Sequence, residues 1–253
     1  MFVITAEFMT MRCHRVFVDS RIECEQLMQL PEPQSHYLGK VLRVLPGQLI
    51  QIFNGLGGCY SAEVVTVQKR KVSVIPRQFI PDETDTSVRI NLAQAISRGK
   101  HMDYTIQKAV ELGVSRIIPL ITEFSNVHLS AERSENRLSH WRGIVVGACE
   151  QSGRNVIPEL AAPLLFDEWL SNMPAVPALL LHPDAAGSLS AITPQPAELT
   201  IVSGPEGGFS EREVAKAKQQ GCVAVKLGPR ILRTETAAVA AISACQTLWG
   251  DMG

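Results

Sequence analysis

Mainly apolar runs alternate with helical patterns over the last two thirds of the chain, and this alternation most constrains the fold. The runs cover residues 88–96, 114–120, 178–182 and 199–203. Runs of this kind are typical of parallel strands that are buried on both faces of a sheet. Strands that alternate with helices predict an α/β domain with a mostly parallel sheet over residues 88–253.

Apolar spacing and capping residues predict the helices of this domain. Met102, Ile106 and Val110 recur at helical spacing, and Gly113 follows where a helix commonly ends in a glycine. Ser210 and Glu213 have the S-x-x-E spacing of a capping box. The further predicted elements are a long helix over 134–151, a helix from Ser210 to near Gly221, a last strand over 222–227 and a final helix from Thr234.

The first 80 residues have a different pattern. Short runs rich in Val, Ile and Phe are separated by turn residues such as Asn54-Gly55. They predict a small β-barrel over residues 1–80, followed by a linker over 81–87. This part is also the basic part, with nine Lys and Arg against six Asp and Glu. The predicted strands cover residues 16–18, 48–53, 60–67 and 71–75.

Composition excludes several classes of protein. The formal net charge of the whole chain is −1, so the total gives no sign of a polyanionic partner. The six cysteines form no C-x-x-C pair, and we therefore expect neither a metal site nor an oxidising compartment. No signal peptide or membrane-spanning run is apparent in the sequence, which predicts a cytoplasmic protein.

Three glycine- or proline-containing loops follow predicted strand ends, where open α/β sheets bind ligands. They lie at residues 181–183, 203–210 and 227–236, and they match neither a Walker A loop nor the GxGxxG fingerprint. Glu206 and Glu235 beside these loops would repel a polyphosphate. They would suit a ligand with hydroxyl groups and a positive centre, which is the character of S-adenosylmethionine. As an alternative, such glycines form only turns.

Four segments together resemble the bacterial 16S rRNA uridine-N3 methyltransferases of the SPOUT class. The segments are SRGKHMDYTIQKAVELGVSRIIPL (97–120), ACEQSGR (148–154), GPEGGFS (204–210) and LGPRILRTETA (227–237). Residues 13–18 and 40–47 resemble the N-terminal PUA-like barrel of the same family. The resemblance implies a C-terminal trefoil knot, S-adenosylmethionine as methyl donor, a homodimer and 16S rRNA, within the 30S subunit, as substrate. Met1 to Met11 looks like an extra leader.

The resemblance also implies residue roles. For methylation at N3, uracil must lose a proton and charge must spread onto O2 and O4, so Arg233 is predicted to stabilise that charge. Glu206 and Glu235 are candidate catalytic residues, with loop ordering or helix capping as the alternative. A salt bridge is the alternative for Arg233. The candidate cofactor-binding residues are Leu181, His182, Gly204, Glu206, Gly207, Leu227, Gly228, Ile231, Leu232 and Thr236.

A last set of cations is predicted to bind RNA. Two other functions stay open, because cofactor loops do not specify the acceptor. One is a SPOUT methyltransferase with another RNA target, and the other is a ribosome-assembly factor that binds RNA without turnover. His101 carries no usable signal in the sequence. The predicted RNA-binding residues are Arg15, Arg43, Arg98, Lys100 and Arg154.

Overall fold

The computed structural model describes residues 13–81, 88–125 and 131–253, and these residues form two compact units. The first unit contains the described residues up to position 81 together with Cys149–Ile157. The second contains the described residues of 88–148 together with Pro158–Gly253. The predicted second domain, 88–253, includes 149–157, whereas these residues pack in the first unit. The extra leader and most of the predicted linker lie outside the described residues.

The first unit contains a five-stranded sheet in the order β1-β3-β4-β5-β2. Strand β1 pairs parallel to β3, and the other pairs are antiparallel. The predicted hairpin at Asn54-Gly55 is confirmed, since Gly55 and Gly58 have φ angles of 82° and 67° that favour glycine. The inward side chains are mainly Val, Leu and Ile and are fully buried. The strands are β1 (Arg15–Phe17), β2 (Met28–Gln29), β3 (Leu49–Phe53), β4 (Cys59–Gln68) and β5 (Lys71–Ile80).

A short helical segment, which the sequence analysis did not predict, packs on this sheet. Helix α1 (Glu32–His36) continues into a single π-helical turn, Tyr37–Leu42. The buried Ser35 Oγ donates to the Leu30 carbonyl (3.0 Å) and accepts from the Val72 amide (3.0 Å), which fixes α1 to β5. Neither piece is long enough to produce a 3.6-residue apolar period, so pattern analysis could not find it.

The segment Cys149–Ile157 is attached to the first unit by hydrogen bonds. The Phe17 amide donates to Glu150 Oε1 (2.9 Å), and Val156 forms an antiparallel bridge with Leu56. Burial raises the pKa of the Glu150 carboxyl group above its ordinary value, an effect that the Phe17 amide partly opposes. Arg15 Nη2 donates to Asn155 Oδ1 at 2.6 Å. The Phe17–Glu150 and Arg15–Asn155 bonds connect positions more than 130 apart in the chain.

The second unit contains a seven-stranded sheet in which every pair is parallel. Its order is β12-β10-β11-β6-β7-β8, and β9 also pairs with β7. This confirms the predicted parallel α/β domain. The trefoil knot stays a prediction. The strands are β6 (Arg89–Ala95), β7 (Arg116–Ile121), β8 (Glu159–Leu160), β9 (Leu164–Leu165), β10 (Ala178–Leu181), β11 (Glu198–Ser203) and β12 (Val223–Val225).

Five helices accompany this sheet, and the predicted ones are present. Helix α2 buries Met102, Ile106 and Val110, and Gly113 follows it with a φ of 86°. Helix α4 and the two-residue strands β8 and β9 are additional elements. In the part of the chain that the structure describes, no helix combines the length and apolar character needed to cross a membrane. The helices are α2 (Lys100–Glu111), α3 (Ala131–Ser152), α4 (Phe166–Ser171), α5 (Glu211–Gln219) and α6 (Thr234–Trp249).

Candidate active site

A cavity of about 710 Å³ opens in the second unit where the loops after β10, β11 and β12 meet. These strands end at the same edge because the sheet is parallel, so the three glycine- or proline-containing loops converge as predicted. Of the predicted cofactor-binding residues, all but Thr236 line the cavity. Those that do are Leu181, His182, Gly204, Glu206, Gly207, Leu227, Gly228, Ile231 and Leu232.

The loop after β11 is held by the predicted capping box, which the structure confirms. Ser210 Oγ accepts from the Glu213 amide (3.3 Å), and Glu213 Oε2 accepts from the Ser210 amide (2.9 Å). Glu213 is only 2% exposed, and its Oε1 also accepts from the Glu123 amide at 2.9 Å. The buried carboxyl group therefore fixes where the glycine loop ends and α5 begins.

The loops after β11 and β12 are joined directly. Thr234 Oγ1 donates to the Gly204 carbonyl oxygen at 2.5 Å. Gln94 Nε2 donates to Thr234 Oγ1 at 3.0 Å, and Gln94 is fully buried on the central strand β6. Gln94 was not among the predicted site residues. The available signal was an amide side chain in the mainly apolar run 88–96, which also contains Arg89 and Asn91, since a buried amide needs a specific partner.

Two glutamates that line the cavity contact residues at the start of α2. Glu206 Oε1 accepts from the Arg98 backbone amide at 2.9 Å, which ties the glycine loop to the turn before α2. Glu235 Oε1 lies 3.1 Å from His101 Nδ1. The side chain of Glu235 is 14% exposed and that of His101 is 45% exposed. His101 therefore belongs to the cavity, although nothing in the sequence pointed to it, because its partner is far away in the chain.

Cations also line the cavity. Arg233 and Arg230 are exposed and line it, and within the described residues neither forms an ion pair. Arg98 and Lys100 are exposed at the start of α2 but do not line the cavity. Thr236 is exposed on the first turn of α6 and does not line it either.

The imidazole of His182 has a defined local partner. Its Nδ1 accepts from the Asp184 amide at 3.2 Å, and the His182 amide donates to the Val225 carbonyl at 3.0 Å. With Nδ1 as an acceptor, the neutral ring carries its proton on Nε2. The backbone bond connects the loop after β10 to the end of β12.

The other predicted RNA-binding residues lie in the first unit. The guanidinium group of Arg15 donates to Gln51 Oε1 (2.6 Å), Asn155 Oδ1 (2.6 Å) and the Arg154 carbonyl (3.2 Å), and it stacks 5.0 Å from the Phe53 ring centroid. Most of its donors are thus used within the protein. Arg43 is exposed and adopts a left-handed φ of 53°.

No ion-binding cluster accompanies these residues. In residues 13–81, 88–125 and 131–253 the structure contains no group of three His, Cys, Asp or Glu side chains suited to hold a metal. The chemical groups that line the cavity include backbone amides and carbonyls, two carboxylates, the rings of His101 and His182, and arginines. Such a set binds hydroxyl groups and charge, and it can move a proton.

Comparisons with known proteins agree with this architecture. The model of the RNA methyltransferase domain family matches residues 84–246, and that of the RNA methyltransferase PUA domain matches residues 30–77. Ribosomal RNA small subunit methyltransferase E of Buchnera aphidicola from Acyrthosiphon pisum is 33% identical over 240 residues, which is 94% of each chain. The Bacillus subtilis protein of the same name is 30% identical over 91% of this chain and 94% of its own.

Solved structures are similar over nearly the whole chain. Ribosomal RNA small subunit methyltransferase E of Neisseria gonorrhoeae, bound to S-adenosylmethionine, has a TM-score of 0.90 and 38% identity. A Legionella pneumophila protein in complex with the same cofactor has a TM-score of 0.92 and 36% identity. Each match covers 95% of this chain and 100% of the other. The chain belongs to the RNA methyltransferase family, with the ribosomal RNA small subunit methyltransferase E proteins as its relatives.

Proposed function

We propose that this chain transfers a methyl group from S-adenosylmethionine to N3 of a uridine in 16S rRNA of the small ribosomal subunit. The observation that carries the proposal is the junction of two loops around one cavity, made by the hydrogen bond from Thr234 to Gly204. The names of the relatives support the rRNA substrate, and the cofactor-bound structures support the methyl donor.

The cavity fits S-adenosylmethionine chemically. A Cβ atom added at Gly208 or Gly228 would meet no atom within 4 Å, so the backbone there borders open space that a ligand can enter. Backbone amides and carbonyls of both loops are suited to adenine and ribose, and Glu206 provides a carboxylate for a positively charged ligand. When bound, the cofactor supplies an electrophilic methyl group. We assign Leu181, Gly204, Leu227, Gly228 and Leu232 to its binding.

Arg233 is the proposed electrostatic catalyst. Deprotonated uracil carries negative charge on O2 and O4, and a guanidinium group can donate to such an oxygen. Arg233 lies at the start of α6, lines the cavity and makes no ion pair among the described residues. Its donors are therefore available to the substrate.

Of the two candidate carboxylates, we assign proton transfer to Glu235 and positioning of the glycine loop to Glu206. In the Glu235–His101 pair the glutamate side chain is the more buried of the two, and His101 Nδ1 lies 3.1 Å from Glu235 Oε1. A carboxylate and an imidazole in contact can accept a proton and hold it within the pair. Glu206 already accepts the Arg98 amide, which favours a role in holding the loop.

We extend the proposal to the residues that contact RNA and to the oligomeric state. Arg98 and Lys100 lie exposed beside the start of α2, where they can contact phosphates, while Arg15, Arg43 and Arg154 belong to the first unit. We further propose a cytoplasmic homodimer acting on the 30S subunit. Sedimentation of the pure protein with and without 30S subunits measures both associations.

One experiment tests the function. The protein is incubated with labelled S-adenosylmethionine and either 30S subunits or naked 16S rRNA from a strain lacking the modification, and nucleosides are analysed by mass spectrometry. We expect 3-methyluridine. Arg233→Ala should lower kcat by at least about 100-fold with little change in cofactor affinity, because the arginine acts on the transition state. Arg89→Ala, at the opposite end of β6, is the matched control.

Each of the other outcomes is distinct. A different methylated nucleoside would point to another RNA target. Saturable cofactor binding by calorimetry without any methylated product would reject these RNAs as substrates. Neither cofactor binding nor product would favour a ribosome-assembly factor without turnover.

A further inference from the structure

The Lys and Arg residues within 13–81 fall into two groups that occupy different places. Arg21 pairs with Glu23 at 3.1 Å, and Arg77 pairs with Glu25 at 2.6 Å and with Glu63 at 2.8 Å. Arg15 donates to Gln51 and Asn155, as described above. These cations have protein partners that use their charge or their donors.

A second group has almost no such partners. All its members are exposed, and within the described residues only Arg70 forms an ion pair, with Glu32 at 3.3 Å. Among the described residues, the five cations of this group form one ion pair with a carboxylate. The group, which we name the basic face, consists of Lys40, Arg43, Lys69, Arg70 and Lys71.

Local packing brings the basic face together from two segments. Lys40 and Arg43 belong to the π-helical turn and its end, and the other three lie at the tip of the β4–β5 hairpin. A Cβ atom added at Gly39 would lie 3.5 Å from Val67 Cγ1 and 3.8 Å from Val72 Cγ2, so the turn packs closely on the hairpin. The Ser35 hydrogen bond to Val72 holds the preceding helix there.

The basic face is separated from the paired cations. Arg77 follows Lys71 by six positions on β5, which is about 20 Å along a strand. A Debye length is about 8 Å at physiological ionic strength, so the carboxylates around Arg77 do not neutralise the hairpin tip. The positive potential of the first unit is therefore concentrated at this end.

An aromatic side chain lies beside these charges. Tyr37 is 43% exposed at the start of the π-helical turn, and Val41 on the same turn is 59% exposed. An exposed aromatic ring among unpaired cations is the combination that binds unpaired nucleotides, because the ring stacks on a base while the cations contact phosphates.

We propose that the basic face binds the phosphate backbone of the substrate RNA and that Tyr37 stacks on an unpaired base next to it. The proposal rests on the proposed function in taking rRNA as the substrate. It adds the place and chemistry of a binding surface outside the methyl-transfer cavity. Lys40, Lys69 and Lys71 provide charge, while Tyr37 supplies a contact that salt does not screen.

The test compares a triple variant, Lys40→Ala with Lys69→Ala and Lys71→Ala, with Arg21→Ala, an exposed cation of the same unit that pairs with Glu23. Affinity for naked 16S rRNA and for 30S subunits is measured from 50 to 200 mM salt. Each lost phosphate contact should reduce the slope of log K against log salt by about 0.7 to 0.9. We expect a slope reduced by about two and a KM for RNA raised at least about tenfold, with unchanged kcat and cofactor affinity. Arg21→Ala should match the wild type.

Tyr37→Ala tests the stacking. It should weaken RNA binding about five- to tenfold without changing the salt slope, and Tyr37→Phe should restore the binding, because the ring and not the hydroxyl group stacks. Circular dichroism and cofactor calorimetry verify that each variant is folded.

An unchanged slope in the triple variant overturns the proposal. Weaker binding to 30S subunits with unchanged binding to naked rRNA also overturns it, since the face would then contact a ribosomal protein. These binding readouts need no methyl transfer, so they are independent of the proposed reaction.

Discussion

The Thr234 hydroxyl group donates to the Gly204 carbonyl oxygen at 2.5 Å and at the same time accepts from Gln94 Nε2 at 3.0 Å. One side chain thus connects the loop after β11, the start of α6 and the central strand. Neither glycine loop depends only on its own turn geometry for its position.

We predict that Thr234→Val weakens the binding of S-adenosylmethionine about tenfold. Valine has nearly the same shape, but it removes the donor of the 2.5 Å bond to the Gly204 carbonyl and one acceptor of Gln94 Nε2. Gln94 Nε2 keeps its bonds to the Ala95 and Gly204 carbonyls, so the loss is on the order of 1 kcal/mol. Calorimetric titration with the cofactor measures the effect. Thr247→Val, on the exposed side of α6, is the matched control. Equal affinities in both variants would show that the junction does not hold the cofactor site.

Glu235 and Glu206 should respond differently to the loss of charge. Glu235→Gln should lower kcat about 100-fold, because a neutral amide can still accept a hydrogen bond from His101 but cannot take up the N3 proton. Glu206→Gln should lower kcat less than about fivefold, since an amide oxygen can still accept from Arg98. Single-turnover methylation at saturating cofactor measures both rates. The reverse order would assign the proton to Glu206.

The capping box predicts a measurable stability difference. Ser210→Ala should destabilise the protein by about 1 kcal/mol, the usual value for loss of a helix N-cap. Glu213→Ala should cost on the order of 2 kcal/mol, because the buried amide of Ser210 and the partly buried amide of Glu123 lose their acceptor. Chemical denaturation gives both values. Ser139→Ala, exposed on α3, is the control and should be neutral or slightly stabilising.

Thiol reactivity and alkaline stability follow from the buried cysteines. Burial raises the pKa of Cys149 and Cys222 to about 11 and that of Cys245 to about 12. The exposed Cys24 should therefore be alkylated first at pH 8, which peptide mass spectrometry can measure.

The same shifts fix the sign of the pH dependence. The folded state keeps these thiols protonated above the ordinary pKa of 9.0, whereas the unfolded state loses the protons there. Stability is therefore fully present below pH 9 and is lost as the pH rises towards 11 to 12. Denaturation midpoints at pH 8 and pH 10.5 test this. A higher midpoint at pH 10.5 would contradict it.

The extent of prediction from sequence differed between elements. Runs such as 199–203 are long and apolar enough to identify buried strands, and the Ser210/Glu213 spacing identified the start of α5. Strands β8 and β9 have two residues each, too few to show any periodicity. The placement of Cys149–Ile157 in the first unit depends on partners such as Phe17, 133 positions from Glu150.

The candidate site shows the same limit. Loop positions followed from the rule that ligands bind at the carboxyl ends of parallel strands, and the three loops do converge. The pairing of His101 with Glu235 and the bond between Gln94 and Thr234 could not be predicted, because each joins residues more than 130 positions apart. Local patterns locate loops, but they do not identify which distant side chains meet.

The bond between Thr234 and Gly204 has a consequence for the order in which the protein matures during translation. Residue 94 leaves the ribosome first, residue 204 next and residue 234 last, so a nascent chain that stops before Thr234 lacks the hydroxyl group that bonds to both of the others. The cavity lacks part of its lining on a growing polypeptide until the start of α6 has emerged. This enzyme therefore gains its competence late, after most of its parallel sheet has been synthesised.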